Sequence, residues 1–402
     1  MMLSVLTGKI CEDKYMKILI VPMAAMAETS GPSSRCRILA KGFAEAGLKV
    51  ATCRAEDVNY RPIEGIKNYY LEIPMPMGLP APIAKRVFPF AQKTGITARK
   101  QVDSFDQVLF MTGNLDYSYI AHSVASVSKA IEAFHPDIVY SEFNISAMIT
   151  AHKAKVPLCC TVSYPTQHVY AHKAKLSKGL NRYLKEEGLS EVDSALQLFD
   201  LADRSFCPSI PELEPIQKEH MFFCGTLKRK RKCIPGESRN KIVVYMGNGT
   251  VSAPKMKKVI TEAFLKSAYE VYIASSYLEK EDLGNIHIAP RWDFEELLDT
   301  AVLFINHGGQ NSIADGLLHG VPQIMIPGKV FERKYNADSI EKNNAGATLS
   351  SEEFTSDSVR KTAEQVIGSE VMMENAQKLG DKLVSAGGIE TILQEIRKPA
   401  TL

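Results

Sequence analysis

Short apolar runs alternate with segments of helical periodicity through the first half of the chain. The run 18–21 is branched and ends at Pro22, which is typical of a buried parallel strand. Helically spaced apolar positions follow at 38–46, Gly47 ends that helix, and Val50 opens another strand. The later elements predicted in this way are a helix at 117–134, a strand at 137–140, a helix at 147–154 and a strand at 156–161. This alternation predicts a parallel sheet wrapped by helices, the α/β class.

A second series of the same kind begins after the basic run 228–232, which is followed by Pro235 and Gly236. A basic run can bind phosphates, but a solvated linker between domains is the simpler interpretation. Beyond it we predict strands at 242–246, 270–274, 285–288, 302–306 and 323–326, and helices at 256–267 and 311–319. The pattern therefore predicts two Rossmann-like, doubly wound parallel-sheet domains that face a cleft. The expected divisions are a domain at 16–225, a linker at 226–240, a domain at 241–385, and a C-terminal helix and tail at 386–402.

Composition narrows the class of protein without identifying a partner. The 402 residues are 45% hydrophobic and 23% charged, and the net charge of +2 argues neither for nucleic acid nor for an anionic membrane surface. No apolar run reaches the roughly 20 residues of a membrane-spanning helix, so we expect a soluble protein. The eight scattered cysteines favour a reducing compartment, and we expect a cytoplasmic location. Residues 1–15 lack the pattern of a signal peptide and are expected to be a flexible leader, with Met16 as an alternative start.

The richest candidate chemistry lies between the predicted strand 302–306 and the helix that follows it. This stretch consists of His307, Gly308, Gly309, Gln310, Asn311 and Ser312. Paired glycines let the backbone approach a ligand closely, and a helix start offers unpaired N–H groups that suit a diphosphate. Asn311 or Ser312 can also cap the helix. Taken alone, the stretch is explained equally well as a tight turn beside a structural histidine.

The surrounding residues resemble the nucleotide-diphosphate-sugar glycosyltransferases of family 1, which include plant UDP-glycosyltransferases and macrolide glycosyltransferases. The shared pattern is a His-Gly pair, an Asn-Ser pair, an acid, Gly-Val-Pro, a proline and a later Asn-Ala. Its members here are His307, Gly308, Gly309, Asn311, Ser312, Asp315, Gly320, Val321, Pro322, Pro327, Asn336 and Ala337. The resemblance implies the GT-B fold, with the acceptor in the N-terminal domain and the nucleotide sugar in the C-terminal domain.

The resemblance also implies a role for each matching donor-site residue. His307 and the N–H groups of 310–312 would bind the diphosphate, and Trp292, the one tryptophan in the sequence, would stack on the nucleobase. Gly249 and Thr250 would belong to a loop that closes over the donor. The helix start and the imidazole would then stabilise the leaving nucleoside diphosphate, so we expect no metal ion and no cofactor.

Three donor-site positions depart from the family. Asp315, expected to face the ribose, stands where glutamate is usual, so its shorter side chain would reach a ribose poorly or suit a deoxyribose. Glu332 and Arg333 replace the pair formed by an acid and a glutamine that contacts the sugar, one residue further from Pro327 than is typical. Because arginine only donates hydrogen bonds whereas glutamine also accepts them, we expect an unusual donor sugar, anionic or amidated.

The catalytic base is the largest departure. Family members deprotonate the acceptor with a histidine in the first loop, where this chain has Gly31 and Pro32. The residues that follow, 33–36, match the Arg-Cys variant of this loop in related sugar-nucleotide enzymes, so the histidine is missing. The candidates that remain are Glu142, Glu28, His168 and His172, each of which is also explained as an ordinary polar residue.

We therefore expect an inverting glycosyltransferase that moves a hexose from a UDP- or dTDP-sugar to a hydroxyl of a small, partly apolar acceptor. The irregular segment 73–93 is either part of the acceptor site or a surface loop. Pro32 motivates one alternative, a catalytically inert GT-B homologue that acts as a partner protein, and the Arg-Cys variant motivates another, a sugar-nucleotide hydrolase or epimerase. The expected partners are a nucleotide-sugar donor and a small acceptor, with no nucleic acid, while the oligomeric state stays open.

Overall fold

A computed structural model of the chain describes residues 15–26, 31–57, 60–76, 79–80, 82–83, 86, 102–167, 174–228, 239–247 and 250–398. Several predictions fall outside these ranges: those for residues 1–14, Glu28, His168, His172 and Gly249, and for most of the basic run and of segment 73–93. No helix within the described ranges is long and apolar enough to cross a membrane.

The first half of the chain forms a seven-stranded sheet in which all neighbouring strands are parallel. Its strands are β1 (Lys17–Pro22), β2 (Lys49–Ala55), β3 (Lys67–Leu71), β4 (Ile138–Glu142), β5 (Leu158–Thr161), β6 (Arg204–Cys207) and β7 (Met221–Phe223), in the order β3-β2-β1-β4-β5-β6-β7. The helices are α1 (Gly31–Glu45), α2 (Phe105–Met111), α3 (Tyr117–Phe134), α4 (Ile145–Ala154) and α5 (Lys178–Glu186). The interior strand β1 is covered on both faces, which explains its continuous apolar run.

The second half forms another seven-stranded sheet. Its strands are β8 (Lys241–Tyr245), β9 (Glu270–Ala274), β10 (Glu281–Leu283), β11 (Ile286–Ala289), β12 (Ala301–Asn306), β13 (Gln323–Met325) and β14 (Gly346–Thr348), in the order β10-β11-β9-β8-β12-β13-β14. The pair β10–β11 is antiparallel, and the other pairs are parallel. The helices are α6 (Ala253–Phe264), α7 (Phe294–Asp299), α8 (Gln310–Leu318), α9 (Phe331–Lys342), α10 (Ser356–Ile367), α11 (Glu370–Ser385) and α12 (Ile389–Ile396).

The last helix crosses back to the first sheet. Ile392 and Ile396 of α12 are buried in the same apolar cluster as Phe43 of α1. Gly42 makes this contact possible, because a Cβ atom added there would lie 2.2 Å from the Cδ1 of Ile389. The C-terminal segment therefore joins the two halves by packing as well as by sequence.

Candidate active site

A cleft with a volume of ≈ 700 Å³ lies at the carboxyl ends of the strands, with lining residues from both halves. The first half contributes the start of α1 and the segments after β4 and β5, and the second contributes the loop after β12 and the start of α9. Open α/β sheets bind ligands at this edge, because the helix N-termini converge there. Of the predicted site residues, those that line the cleft are His307, Gly309, Gln310, Asn311, Ser312, Glu332 and Arg333.

Two asparagines fix the loop after β12. The side-chain oxygen of the fully buried Asn306 accepts a hydrogen bond of 2.8 Å from the backbone N–H of Gly308, and the Nδ2 of Asn336 donates to the carbonyl of Gly308 at 3.0 Å. Gly308 has φ +77°, and a Cβ atom there would lie 2.8 Å from the carbonyl oxygen of Arg333. Only glycine suits this combination of conformation and close approach.

The His307 imidazole lies between two glycines. A Cβ atom at Gly309 would lie 2.5 Å from its Nε2, and one at Gly247 would lie 3.1 Å from its Cε1. Burial, together with the nearby positive charge of Arg333, lowers the pKa of His307 to about 3, so the ring is neutral at physiological pH. Its Nδ1 is buried and has no hydrogen-bond partner among the described residues. A neutral ring in this position can donate one hydrogen bond to an oxyanion in the cleft.

Helix α8 starts one residue earlier than predicted. Gly309 is the N-cap residue, and no side chain caps the helix, so the prediction that Asn311 or Ser312 caps it is wrong. Both residues lie instead in the first turn, where the free backbone N–H groups and the helix dipole favour an anion. The side chain of Gln310 is engaged elsewhere: its Nε2 donates to Glu214 at 2.8 Å.

Asp315 forms an ion pair with Lys228, with 2.5 Å between the Nζ and Oδ1 atoms. Burial raises the pKa of Asp315, while Lys228 opposes that shift. Both residues line a smaller cavity beside the main cleft, together with Asn311 and Ser34. A ribose that binds to Asp315 would therefore compete with the ammonium group of Lys228, and the predicted ribose contact stays a prediction.

Trp292 is held by the second sheet. Its Nε1 donates to the carbonyl of Ile273 at 3.1 Å, and its ring meets Tyr272 edge to face, with 5.2 Å between the centroids. Trp292 does not line the cleft among the described residues, whereas Arg291 and Tyr245 do. Stacking of Trp292 on a nucleobase thus stays a prediction. It requires a nucleobase that extends past Arg291, beyond the described lining of the cleft.

Arg333 and Glu332 lie in the first turn of α9 at the floor of the cleft. The Nη1 of Arg333 donates a hydrogen bond of 2.7 Å to the hydroxyl of the buried Thr250. Burial lowers the pKa of Arg333, and the neighbouring Glu332 opposes that shift. The predicted donor loop and the predicted sugar-contacting pair are therefore joined directly.

A buried ion pair begins three residues beyond Pro32, the position that matches the family's catalytic histidine in the sequence. Pro32 lies in the first turn of α1, where proline fits without loss of a hydrogen bond. Glu142 ends β4 and is fully buried; its Oε1 accepts from the Nε of Arg35 at 2.5 Å, and its Oε2 accepts from the hydroxyl of Thr161. Burial raises the pKa of Glu142, while Arg35 and Thr161 oppose that shift. Because both carboxylate oxygens are bonded, the geometry favours orientation of Arg35 over acceptance of a substrate proton.

Arg35 was not among the site residues predicted from the sequence. It lines the cleft while its neighbour Cys36 is fully buried. Burial raises the pKa of the Cys36 thiol to about 12, so this residue offers no thiolate at neutral pH. The six cysteines that the structure describes are all free and buried. The Arg-Cys spacing in the sequence pointed to Arg35, but not to its bond with Glu142.

Comparisons with known proteins bear on the fold that positions this site. Residues 271–397 match the model of the erythromycin biosynthesis protein CIII-like C-terminal domain. The NDP-glycosyltransferase YjiC of Bacillus subtilis (strain 168) is 24% identical over 304 residues, which cover 69% of this chain and 77% of that protein. The structure of the glycotransferase of kitacinnamycin is similar with a TM-score of 0.72 at 16% identity, over 95% of this chain and 98% of that one. The spinosyn rhamnosyltransferase SpnG complexed with thymidine diphosphate gives a TM-score of 0.68 at 15% identity, over 95% and 100%. These likenesses confirm the predicted GT-B fold.

Proposed function

We propose that this chain acts as the nucleotide-diphosphate-sugar glycosyltransferases of family 1 do, and that it transfers a hexose from a UDP- or dTDP-sugar with inversion. The acceptor in this proposal is a small, partly apolar molecule that reacts through a hydroxyl group. A cytoplasmic location belongs to the same proposal and is supported by the six free, buried thiols.

The uncapped start of α8 is the observation that carries the proposal. Its free N–H groups and the neutral imidazole of His307 face the same cleft, so both can donate hydrogen bonds to a diphosphate. As the bond between the sugar and the diphosphate breaks, negative charge grows on the leaving oxygen. N–H groups that are already in position stabilise this charge more than they stabilise the intact nucleotide sugar. This difference lowers the activation barrier.

Residues on the two sides of the cleft suit the two substrates. On the donor side, Glu332 and Arg333 can contact the sugar hydroxyls, and Arg333 suits a donor sugar that carries a carboxylate or an amide. On the acceptor side, Phe105, Val108 and Phe143 form an apolar surface that suits a partly apolar molecule. The relative YjiC is named an NDP-glycosyltransferase, and the spinosyn rhamnosyltransferase SpnG is described in complex with thymidine diphosphate; both names support the same assignment.

Transfer is tested by incubating the protein with UDP- and dTDP-hexoses and a panel of apolar acceptors, and by measuring release of the nucleoside diphosphate. The proposal predicts acceptor-dependent release and, by NMR of the product, the anomeric configuration opposite to that of the donor. The matched variants are His307→Gln in the cleft and His122→Gln, which is exposed on α3. Loss of release in the first variant alone supports the site. Equal release by both variants would contradict it, and retention of configuration would contradict inversion.

A second candidate function, a catalytically inert partner protein, is favoured by Pro32, which stands at the sequence position of the family's base, and by Glu142, whose two carboxylate oxygens are both bonded. It predicts nucleotide binding without turnover and stable association with another chain. If the wild type shows turnover and the conservative variant Glu142→Gln abolishes it, the inert-partner function is ruled out. Release of free sugar without an acceptor would instead identify the hydrolase that the sequence left open.

A further inference from the structure

The wall that the N-terminal half contributes to the cleft is cationic. Arg35, Arg37 and Arg61 line it, and no carboxylate or histidine does so among the residues of that half that the structure describes. The rest of this wall is apolar or carries hydroxyl groups, with Phe105 and Phe143 as its largest apolar side chains. An acceptor that fits this surface combines an apolar body with negative charge.

Arg37 is the arginine of this wall that is available for a ligand. It is half-buried on α1, two residues beyond Arg35, and it makes no hydrogen bond or ion pair with any residue in the described ranges. The first turn of α1 contains no acidic residue, so no side chain of that turn offsets the partial positive charge of the helix start. A partly desolvated guanidinium that has no partner gains free energy from an anionic ligand.

Arg35 adds a second, preoriented donor. The residue is 7% exposed, its Nε is bonded to Glu142, and its Nη1 is bonded to Gln310 at 3.3 Å. No described residue accepts a hydrogen bond from its Nη2. The Glu142 carboxylate and the Phe143 ring, 5.1 Å from the guanidinium carbon, hold the group in place. A ligand oxygen can therefore use the free edge of Arg35 without having to order the side chain first.

We propose that the acceptor is an apolar carboxylic acid, bound through its carboxylate by Arg37 on the cationic wall to which Arg35 also belongs. This inference rests on the proposed transferase function and replaces the hydroxyl nucleophile of that proposal with a carboxylate oxygen. A carboxylate oxygen forms a bond to the anomeric carbon while the bond from that carbon to the diphosphate oxygen breaks. The electron pair of the broken bond leaves on the nucleoside diphosphate, and the product is a glycosyl ester.

Attack by an ionised acid explains how transfer can proceed although Pro32 replaces the catalytic histidine. An ordinary carboxylic acid has a pKa near ~4 and is ionised at neutral pH, so its attack releases no proton. Pro32 in place of the histidine and a Glu142 that is bonded on both oxygens are then compatible with turnover. An alcohol acceptor has to lose its proton during attack, and it would react slowly at this site.

The test compares acids with alcohols of the same carbon skeleton: benzoate with benzyl alcohol, cinnamate with cinnamyl alcohol, and octanoate with octanol. Binding of each is measured calorimetrically with UDP or dTDP present, and transfer is measured by release of nucleoside diphosphate and by hydroxylamine cleavage of the product ester. The variant is Arg37→Gln, and its control is Lys41→Gln, one turn further along α1 and exposed. We expect the acids to bind and react in preference to the alcohols, with kcat/KM independent of pH from about 6 to 9. Arg37→Gln should raise KM for the acids about tenfold or more and leave nucleotide affinity unchanged.

The outcomes separate this inference from the function on which it rests. Nucleotide binding with no binding of any acid, alcohols that react as well as acids, or an unchanged KM in Arg37→Gln would each overturn the acid acceptor and leave the transferase intact. Absence of nucleotide binding would contradict the proposed function itself. An equal effect of Lys41→Gln would show that net charge, and not the Arg37 contact, determines acceptor binding.

Discussion

Replacement of Arg35 by methionine should destabilise the protein in a manner that depends on pH. The variant keeps most of the side-chain volume but leaves Glu142, which is fully buried, without its counter-charge. Removal of one partner from a buried ion pair costs about 3–5 kcal/mol, and the bond from Thr161 to Glu142 persists, so we expect about 3 kcal/mol at pH 8. The free energy of unfolding is obtained from urea titrations followed by circular dichroism, with the m-value checked for constancy.

The pH dependence follows from the direction of the Glu142 pKa shift. Burial already raises this pKa in the folded wild type, and loss of Arg35 removes the largest opposing influence. A carboxyl group whose folded pKa lies above its unfolded value stabilises the fold fully below the unfolded value, and that contribution is lost as pH rises through the folded pKa. The deficit of Arg35→Met should therefore shrink from pH 8 towards pH 5, by at most about 1.4 kcal/mol per pH unit.

Two controls make this reasoning refutable. In the double variant Arg35→Met/Glu142→Gln the titrating group is absent, so the additional pH dependence should vanish. Arg182→Met removes an exposed cation from a surface ion pair with Glu186 and should change stability far less. A deficit of Arg35→Met that matches that of Arg182→Met, or that does not change between pH 8 and pH 5, would refute the account of the pair.

Three further predictions concern the donor side. Gly309→Ala should weaken nucleotide binding at least tenfold, because its Cβ would lie 2.5 Å from the Nε2 of His307; calorimetry that gives wild-type affinity would contradict the packing argument. The folded pKa of His307, about 3, lies below its ordinary value of 6.5, so its contribution to stability is present above pH 6.5 and is lost as pH falls towards 3. Urea titrations at pH 6.5, 5.5 and 4.5 should thus show a steeper loss for the wild type than for His307→Gln, by about 1.4 kcal/mol per unit, and equal slopes would disprove it. Asp315→Glu should shift nucleotide preference from dTDP towards UDP in competition calorimetry, since the longer carboxylate reaches a ribose hydroxyl; an unchanged preference would place the ribose elsewhere.

Most interior strands of both sheets were predictable because buried parallel strands carry continuous apolar runs. The strand predicted at 270–274 coincides with β9, and that predicted at 302–306 matches β12 to within one residue. The edge strands β3, β7, β10 and β14 and the strand β6 beside β7 were missed; Glu281–Leu283 and Gly346–Thr348, for example, are short and lack an apolar run. Tertiary pairing alone makes these segments strands.

The sequence predicted which positions belong to the candidate site, but it did not predict which side chains pair with one another there. Local order in the sequence located the glycine-rich loop and the start of α8 to within one residue. The pairs Arg35–Glu142, Lys228–Asp315 and Arg333–Thr250 each join residues more than eighty positions apart. Which cation meets which acceptor depends on how the elements pack, and no spacing rule encodes that choice. The missing base and the position of Arg35 were therefore visible in the sequence, whereas the pairing of Arg35 with Glu142 was not.

The most direct test of the central claim is a calorimetric titration of the protein with UDP, dTDP and GDP, repeated with His307→Ala and with His122→Ala as the surface control. A ligand that binds the folded state also raises its apparent stability, so thermal unfolding with and without nucleotide gives an independent readout. The account predicts binding of UDP or dTDP by the wild type and by His122→Ala, and its loss in His307→Ala. Absence of binding by every nucleotide, or full binding by His307→Ala, would contradict a diphosphate site at the start of α8.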